Sequence, residues 1–482
     1  MELSDPDLVG QFLADAAHVP GGFADAVAFP ADAREVADVL RRNAMVLPVG
    51  AQSSLTGGAT PRGGVVLSTR RMTSMRRLGP DRVQAGAGTT LTSLQQMLAP
   101  FGLYYPPVPT FEGATVGGTI ATNAAGAATF KYGSTRHWVE ALTVVLADGA
   151  VLELRRGKAV GRNGVLEIER PDGQTTRVPL PTYGMPALPK HSGGYMASPA
   201  LDAIDLFIGS EGTLGVIVEA ELRVIRRPTT TLVLFPCASD DDALAITGAL
   251  REGQGGDVAG VEYIDAAAIA QVGDDVFDKA GVKRPPPGSV LLLVQIEDSI
   301  DRFTRVLEQD GVADAAVVAL PGDSRGAARL LELREAVPAS VNARVAAAKV
   351  RVDPAIEKTA GDMIVPFDRL RDSLELYRAT FEAYRLEHAI WGHFSDGNLH
   401  PNVIPRSLAD VVNGKEALLK IGRAIVAIGG SPLAEHGVGR NAVKQELLRQ
   451  MYGDAGIEQM RAVKRALDPQ WTLAPGVLFP AA

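Results

Sequence analysis

Four of the seven histidines, His388, His393, His400 and His436, fall within 49 consecutive residues, and three of them stand where a cation could be bound. The stretch Trp391-Gly392-His393-Phe394-Ser395-Asp396-Gly397-Asn398-Leu399-His400-Pro401-Asn402 reads as a tight hairpin. Asp396-Gly397 favours a type I′ turn, where both central residues need φ > 0, and Phe394 and Leu399 supply apolar residues on either side. With those two residues as the loop, His393 lies opposite His400. Cross-strand neighbours have Cβ atoms about 5 Å apart, so both neutral imidazoles can bind one divalent ion. Glu435 is the best third ligand, in the Gly-bounded stretch Glu435-His436-Gly437-Val438-Gly439, which reads as a strand end or loop. Taken alone, two histidines across a hairpin are as readily a surface pair; their concentration in one short stretch favours three ligands and a free base. His388, after Tyr384-Arg385-Leu386-Glu387, reads as a structural residue at a helix end.

Several small-residue stretches must hold whatever this centre acts with. Asp32-Ala33-Arg34-Glu35 caps a helix that continues through Val36, Val39 and Leu40, and Met45–Val49 follows as a buried strand. The loop Gly50-Ala51-Gln52-Ser53-Ser54-Leu55-Thr56-Gly57-Gly58 exposes successive backbone N–H groups and hydroxyls, which can cradle a pyrophosphate without a lysine. Gly113–Gly126 is built almost wholly from small residues, with Lys131-Tyr132-Gly133 close behind, and Gly209–Ile217 again surrounds a short apolar strand with glycine. Backbone of this kind can approach a large flat ligand closely. A nicotinamide fingerprint fails, because the glycine that Gly86-Ala87-Gly88 would need at position 91 is Leu91.

Composition narrows the class. At 482 residues the chain suggests two or three domains. Apolar residues at 46% and charged residues at 22% are those of a globular protein. A net charge of -8, with only short basic pairs such as Arg41-Arg42, Arg70-Arg71 and Arg76-Arg77, argues against nucleic acid. One cysteine, Cys237, excludes an intrachain disulfide or a Cys-ligated iron–sulfur cluster. The acidic start Met1-Glu2-Leu3-Ser4-Asp5-Pro6 lacks a basic region followed by an apolar run, and no apolar window approaches bilayer length. A cytoplasmic enzyme, peripheral to a membrane at most, is expected.

Taken in order, Pro48–Gly58, Thr115–Gly126, Tyr132-Gly133, Gly209–Val218, Gly392–Asn402 and Glu435–Gly439 resemble the vanillyl-alcohol-oxidase-type (PCMH-type) FAD flavoproteins, and within them the D-2-hydroxyacid dehydrogenase branch that includes glycolate-oxidising subunits. The similarity covers about residues 30–480. It implies an α+β protein with a two-part FAD-binding PCMH-type domain over 1–228 and a ferredoxin-like cap, or substrate, domain over 229–482 whose C-terminal segment returns to the first. Carried over by motif, Val49, Gly50, Ala51, Gln52, Ser53, Ser54, Leu55 and Thr56 would hold the pyrophosphate. Thr115, Gly117, Gly118, Thr122 and Asn123, with Tyr132 and Gly133, would lie on the ring's side of the site, and Glu211, Gly212, Gly215, Ile217 and Val218 against the adenine or ribityl part. FAD is expected to be non-covalent.

The same resemblance places a divalent metal (Zn, Mn, Fe or Co) on His393, His400 and Glu435, with His436 as the base and Asn402 near the substrate. Arg334 falls where the family places an arginine on the substrate carboxylate, a task that suits a bidentate guanidinium; pairing with a carboxylate on a neighbouring element is the competing reading. Lys349 falls near a second basic position, against the reading of a solvated lysine. Oxidation of a D-2-hydroxy acid of the lactate, glycolate or 2-hydroxyglutarate class is the implied reaction. The implied partners are that acid, an electron acceptor (quinone, electron-transfer flavoprotein or cytochrome) and a second copy of the chain in a homodimer. The rival readings are a phenol oxidase or alkyl-ether-lipid synthase of a related branch, and a non-catalytic flavin-binding subunit. Two departures from the family stand out: an Arg-, Gly- and Pro-rich segment between Leu154 and Pro189 that reads as a polar hairpin, and Ala474-Pro475-Gly476-Val477 in place of the common Asn-Pro-Gly-Lys.

Overall fold

The computed structural model describes residues 2–107, 109–297 and 300–480. The chain divides into two compact units, one of residues 1–126, 133–227 and 433–482, the other of 127–132 and 228–432. No helix among the described residues is long and apolar enough to cross a membrane.

The first unit is built on two sheets. Asp32 caps the helix Ala33–Arg42 by accepting the Glu35 N–H at 2.8 Å, and Glu35 in return accepts the Ala31 N–H at 2.9 Å. That helix feeds Val46–Val49, which pairs in parallel with Val65–Ser68; Ala26–Ala28 pairs in parallel on the other side. The second sheet is antiparallel, in the order Met75–Arg77, Arg82–Gly86, Val216–Arg223, Val139–Val145 and Val151–Arg155. Val36, Val39 and Leu40 of the helix share one core with Val46, Val65 and Leu67, with Val145, Val216 and Val218 of the antiparallel sheet, and with Leu473. The end of the chain therefore completes this core: Val46 N donates to Thr472 O at 2.8 Å and Ala474 N to Val46 O at 2.9 Å.

The segment between Leu154 and Pro189 forms a hairpin of Val165–Glu169 and Thr175–Pro179, turning at Gly173 with φ 81°. It is polar on one face only, for Leu166, Ile168 and Val178 are buried. The chain after it braces the helix Ala442–Leu467 at its kink: Thr182 N donates to Gln459 at 2.7 Å, and the Tyr183 ring lies 4.4 Å from that of Tyr452, beside Gly453 with its non-helical φ of 66°.

The second unit runs strand, helix, strand, strand, helix, strand through Thr231–Cys237, Asp240–Arg251, Val258–Ile264, Val290–Ile296, Asp301–Gln309 and Val317–Ala319, with two short helices before the third strand. The fourth of these strands is outermost, then the first, third and second. The sheet continues antiparallel into His388–His393 and Asn398–Val403 and reaches eight strands. The long helix Ser324–Arg351 packs Leu330, Leu333, Val337 and Val341 against Ile264, Leu291, Trp391 and Ile404 of one sheet face. Toward the turn of the histidine hairpin the same face becomes polar, with Glu262, His393, Asn398, His400 and Asn402 all buried. Ala127–Tyr132 also belongs to this unit. A Cβ on Gly260 would lie 2.2 Å from the Ala127 carbonyl, and Lys131 pairs with Glu297 at 2.7 Å.

The hairpin exists, but its turn is not the expected one. Phe394–Asp396 form a 3-10 turn closed by Gly397 at φ 83°, and Asp396 keeps a negative φ, so four residues rather than two make the connection. Pairing shifts accordingly: His400 faces Trp391, and His393 faces Asn398. The cause is tertiary. Phe394 stacks on Tyr263 with ring centroids 4.4 Å apart, Ser395 Oγ accepts the Val261 N–H at 3.0 Å, and Arg251 donates to the Ser395 carbonyl. These contacts draw both residues out of the strand. A two-residue shift preserves the side-chain alternation, so the imidazoles still share a face, now as a diagonal pair with centroids 5.6 Å apart.

Candidate functional site

Within the second unit each hairpin histidine sits beside its own buried carboxylate. Nδ1 of His393 hydrogen-bonds Glu262 Oε1, and Nδ1 of His400 lies 3.7 Å from Asp362 Oδ1. Asp362 also accepts from Asn398 Nδ2 at 3.2 Å. Asn402 donates from Nδ2 to the His400 carbonyl at 2.7 Å. The Oδ1 atoms of Asn398 and Asn402 are buried and meet no hydrogen-bond donor among the described residues. A face with two imidazoles and two unmet amide oxygens suits a borderline cation and an oxygen-bearing ligand.

Arg334 follows the competing reading. Its Nε and Nη2 reach Glu262 Oε2 at 2.9 and 2.8 Å, and Nη1 reaches Glu335 at 2.6 Å. Burial alone would raise the Glu262 pKa; the charges and hydrogen bonds of His393 and Arg334 outweigh it and hold the carboxyl well below the ordinary range. Lys349 is exposed near the end of the long helix, so the solvated reading describes it. Lys358, outside the expected set, has its ammonium 5.9 Å from the Trp391 ring and is an exposed residue.

Glu435 and His436 belong to the first unit. Glu435 Oε2 pairs with the buried Lys190 ammonium at 2.9 Å, and Oε1 lies 3.4 Å from His436 Nε2. The segment is held by its backbone. Gly437 N donates to Ser192 Oγ at 3.0 Å, while Val438 N and Gly439 N both donate to Glu211 at 2.8 Å. Glu211, read from the resemblance as a nucleotide contact, thus fastens the segment bearing Glu435 and His436. Burial pushes its carboxyl up to about 7, against the pull of those two N–H groups and of Lys444. Because the folded pKa exceeds the unfolded one, the folded state keeps a proton between about pH 4.5 and 7 that the unfolded chain has lost, and stability falls as pH rises through that window. Glu211→Gln should flatten this part of the profile, a difference of up to about 3 kcal/mol before solvent screening. Thermal unfolding of both proteins at pH 5 and pH 8 measures it, and parallel profiles would remove Glu211 from the account.

The small-residue loops converge within the first unit. Gly50 packs so closely on Thr115 that a Cβ there would lie 2.3 Å from Oγ1, and a Cβ on Gly117 would lie 2.6 Å from that of Ala87. A cavity of about 580 Å³ opens between them, lined by Gly50, Ala51, Gln52, Gly88, Thr89 and Thr115, among others. Ser68 Oγ and Thr89 Oγ1 line it, buried, with no hydrogen-bond partner among the described residues. Hydroxyls without partners beside exposed main chain fit a ligand with pyrophosphate and ribityl oxygens. The run Gly86-Ala87-Gly88-Thr89-Thr90 was the available signal for Gly88 and Thr89, which sequence reasoning tested only against a nicotinamide pattern.

Residues of the expected cofactor set also shape the loops themselves. Gln52, at φ 51°, donates to the carbonyls of Phe12 and Ala59 and so sets the loop's shape. Ser54 and Thr56 hydroxyls bond each other at 3.0 Å, and Leu55 is half exposed. Thr115 caps the short helix by accepting the Gly118 N–H, and Thr122 donates back to the Gly118 carbonyl. Asn123 holds Arg136 N and the His191 carbonyl. A Cβ on Gly133 would lie 2.6 Å from the His137 ring, and one on Gly215 would lie 2.4 Å from Val144; Gly212 turns at φ 74°. Val49, Ile217 and Val218 are buried strand residues, Val218 in the core itself, and the Tyr132 hydroxyl donates to Glu297 in the second unit.

Residues 24–155 match the FAD binding domain family, and residues 226–478 match the C-terminal domain of FAD linked oxidases. The chain is 29% identical to a D-lactate dehydrogenase of Archaeoglobus fulgidus over 93% of its own length and 89% of that protein's. It is 30% identical to a D-2-hydroxyglutarate dehydrogenase of Xanthomonas citri pv. viticola, covering 94% and 89%. It is 27% identical to the glycolate oxidase subunit GlcD of Bacillus subtilis, also covering 94% and 89%. Among solved structures, an alkyldihydroxyacetonephosphate synthase shares the fold, with a TM-score of 0.62 at 16% identity over 94% of this chain and 77% of that one. With an FAD-binding domain before the family's C-terminal domain, and a cavity suited to the cofactor, the chain belongs to the FAD-linked oxidases.

Proposed function

We propose that this protein oxidises a D-2-hydroxy acid of the lactate, glycolate or 2-hydroxyglutarate class to the 2-oxo acid, using FAD and a divalent cation held by His393, His400 and Glu435. The observation that carries the reading is the diagonal imidazole pair on one buried face, each ring beside a carboxylate. Glu435 is kept as the third ligand on the motif Glu435-His436-Gly437. The strand–helix–strand–strand–helix–strand region is read here as the ferredoxin-like cap.

The bound flavin supplies the hydride acceptor, and the cation supplies the Lewis acid that lowers the pKa of the substrate hydroxyl. His436 takes the hydroxyl proton on its imidazole. Asn402 offers the substrate an amide oxygen that meets no donor among the described residues, while Arg334, expected on the substrate carboxylate, pairs with Glu262 and Glu335. The names of the relatives, which are a D-lactate dehydrogenase, a D-2-hydroxyglutarate dehydrogenase and a glycolate oxidase subunit, support this substrate class.

Anaerobic mixing of the purified protein with D-lactate, glycolate, D-2-hydroxyglutarate and their L counterparts tests it. At least one D acid or glycolate should bleach the oxidised flavin band near roughly 450 nm. A flavin that no member of the panel reduces would leave a binding subunit as the reading.

A further inference from the structure

Resting on the reading of His393 as a ligand, we propose that Glu262 is the positioning residue of the metal centre, fixing the His393 ring so that Nδ1–H faces the carboxylate and Nε2 is the ligating nitrogen, and that Arg334 in turn holds Glu262. Glu262 sits on the strand Val258–Ile264 directly across from His393, so the contact joins two adjacent strands and is not a loop accident. Its two oxygens are divided. Oε1 takes His393 Nδ1, and Oε2 takes both Nε and Nη2 of Arg334. Turning the imidazole over would set a ring carbon against Oε1, and turning the carboxylate would break the paired guanidinium contact.

Burial makes the arrangement expensive unless it has a use. Glu262 is 6% exposed, His393 2%, and the Arg334 side chain 11%. A buried ion pair seldom stabilises a fold more than apolar residues of the same volume would, whereas carboxylates behind ligating histidines commonly set ring orientation. Arg334 stands on the long helix Ser324–Arg351, whose packing residues Leu330, Leu333 and Val337 are buried around it. The helix therefore delivers the guanidinium to Glu262 from a rigid element. The two strands and the helix fix one nitrogen's direction together.

The test is metal affinity by competition with a chromophoric chelator, using Zn²⁺ and Mn²⁺ in turn, on flavin-loaded wild type, Glu262→Gln, Arg334→Met and the double variant. The double variant removes the guanidinium that Glu262→Gln alone would strand, and flavin stoichiometry reports that each protein is folded. Expected are a 10–100-fold loss of metal affinity in both Glu262→Gln proteins and a smaller loss in the same direction for Arg334→Met, with flavin still bound one to one. Wild-type affinity in the folded double variant overturns the proposal. So does an Arg334→Met protein that keeps its metal while KM alone rises, since that is the signature of a substrate clamp. A wild type that binds neither ion sinks the metal reading itself, and is seen before any variant is compared.

Discussion

Replacing His436 by alanine should leave FAD bound and lower kcat about 10²–10⁴-fold, the usual worth of a general base. The flavin should stay because the loops lining the cavity, Gly50–Gln52 and Gly88–Thr89, are distant in sequence and held by their own hydrogen bonds. The segment bearing His436 should stay because its anchors are the main-chain N–H groups of Gly437, Val438 and Gly439, which the substitution does not touch. Stopped-flow reduction together with the flavin-to-protein ratio separates the effects. Unchanged reduction rates would remove His436 from proton transfer, and loss of flavin would recast it as a structural residue.

Stripping the divalent cation should lower turnover at least about 10³-fold, since Lewis-acid stabilisation is worth several kcal/mol, and should leave the protein folded and yellow. The reason for expecting an intact apoprotein is Lys190. Its buried ammonium already pairs with Glu435 at 2.9 Å, so the carboxylate is compensated when the cation is gone. Incubation with dipicolinate, removal of the chelator and titration with Zn²⁺ or Mn²⁺ should restore turnover with about one equivalent per chain. His400→Ala should reproduce the stripped state and resist rescue. Full activity in a metal-free preparation would refute the proposed chemistry.

What could be read from the sequence was what local chemistry decides. Asp32 and Glu35 announce their helix, and the runs of small residues announce close approach of backbone, whichever ligand fills the cavity. The histidine hairpin was legible as a hairpin. Its turn was not, because Phe394 and Ser395 are recruited by Tyr263, Val261 and Arg251 from elements more than a hundred residues earlier. The shared face of His393 and His400 survived only because the shift was even. Arg334 posed the same difficulty, since nothing near it in the chain shows that Glu262 lies opposite His393 in the sheet. Thr89 and Ser68 are ordinary hydroxyls until the fold buries them without a partner among the described residues.

The excursion of Ala127–Tyr132 constrains how such a protein can be re-engineered. Chain passes from one unit to the other after residues 126, 132, 227 and 432, so a cut at the family boundary near residue 227 does not yield two self-sufficient pieces. A fragment ending at Arg227 would carry Ala127–Tyr132 without the strand whose Gly260 makes room for it, and would lack Leu473, which closes the fragment's own core. Grafting the second unit of a relative therefore requires four matched junctions, with residues 228–432 transferred as a block, the six-residue clasp exchanged with them, and the recipient's own tail kept.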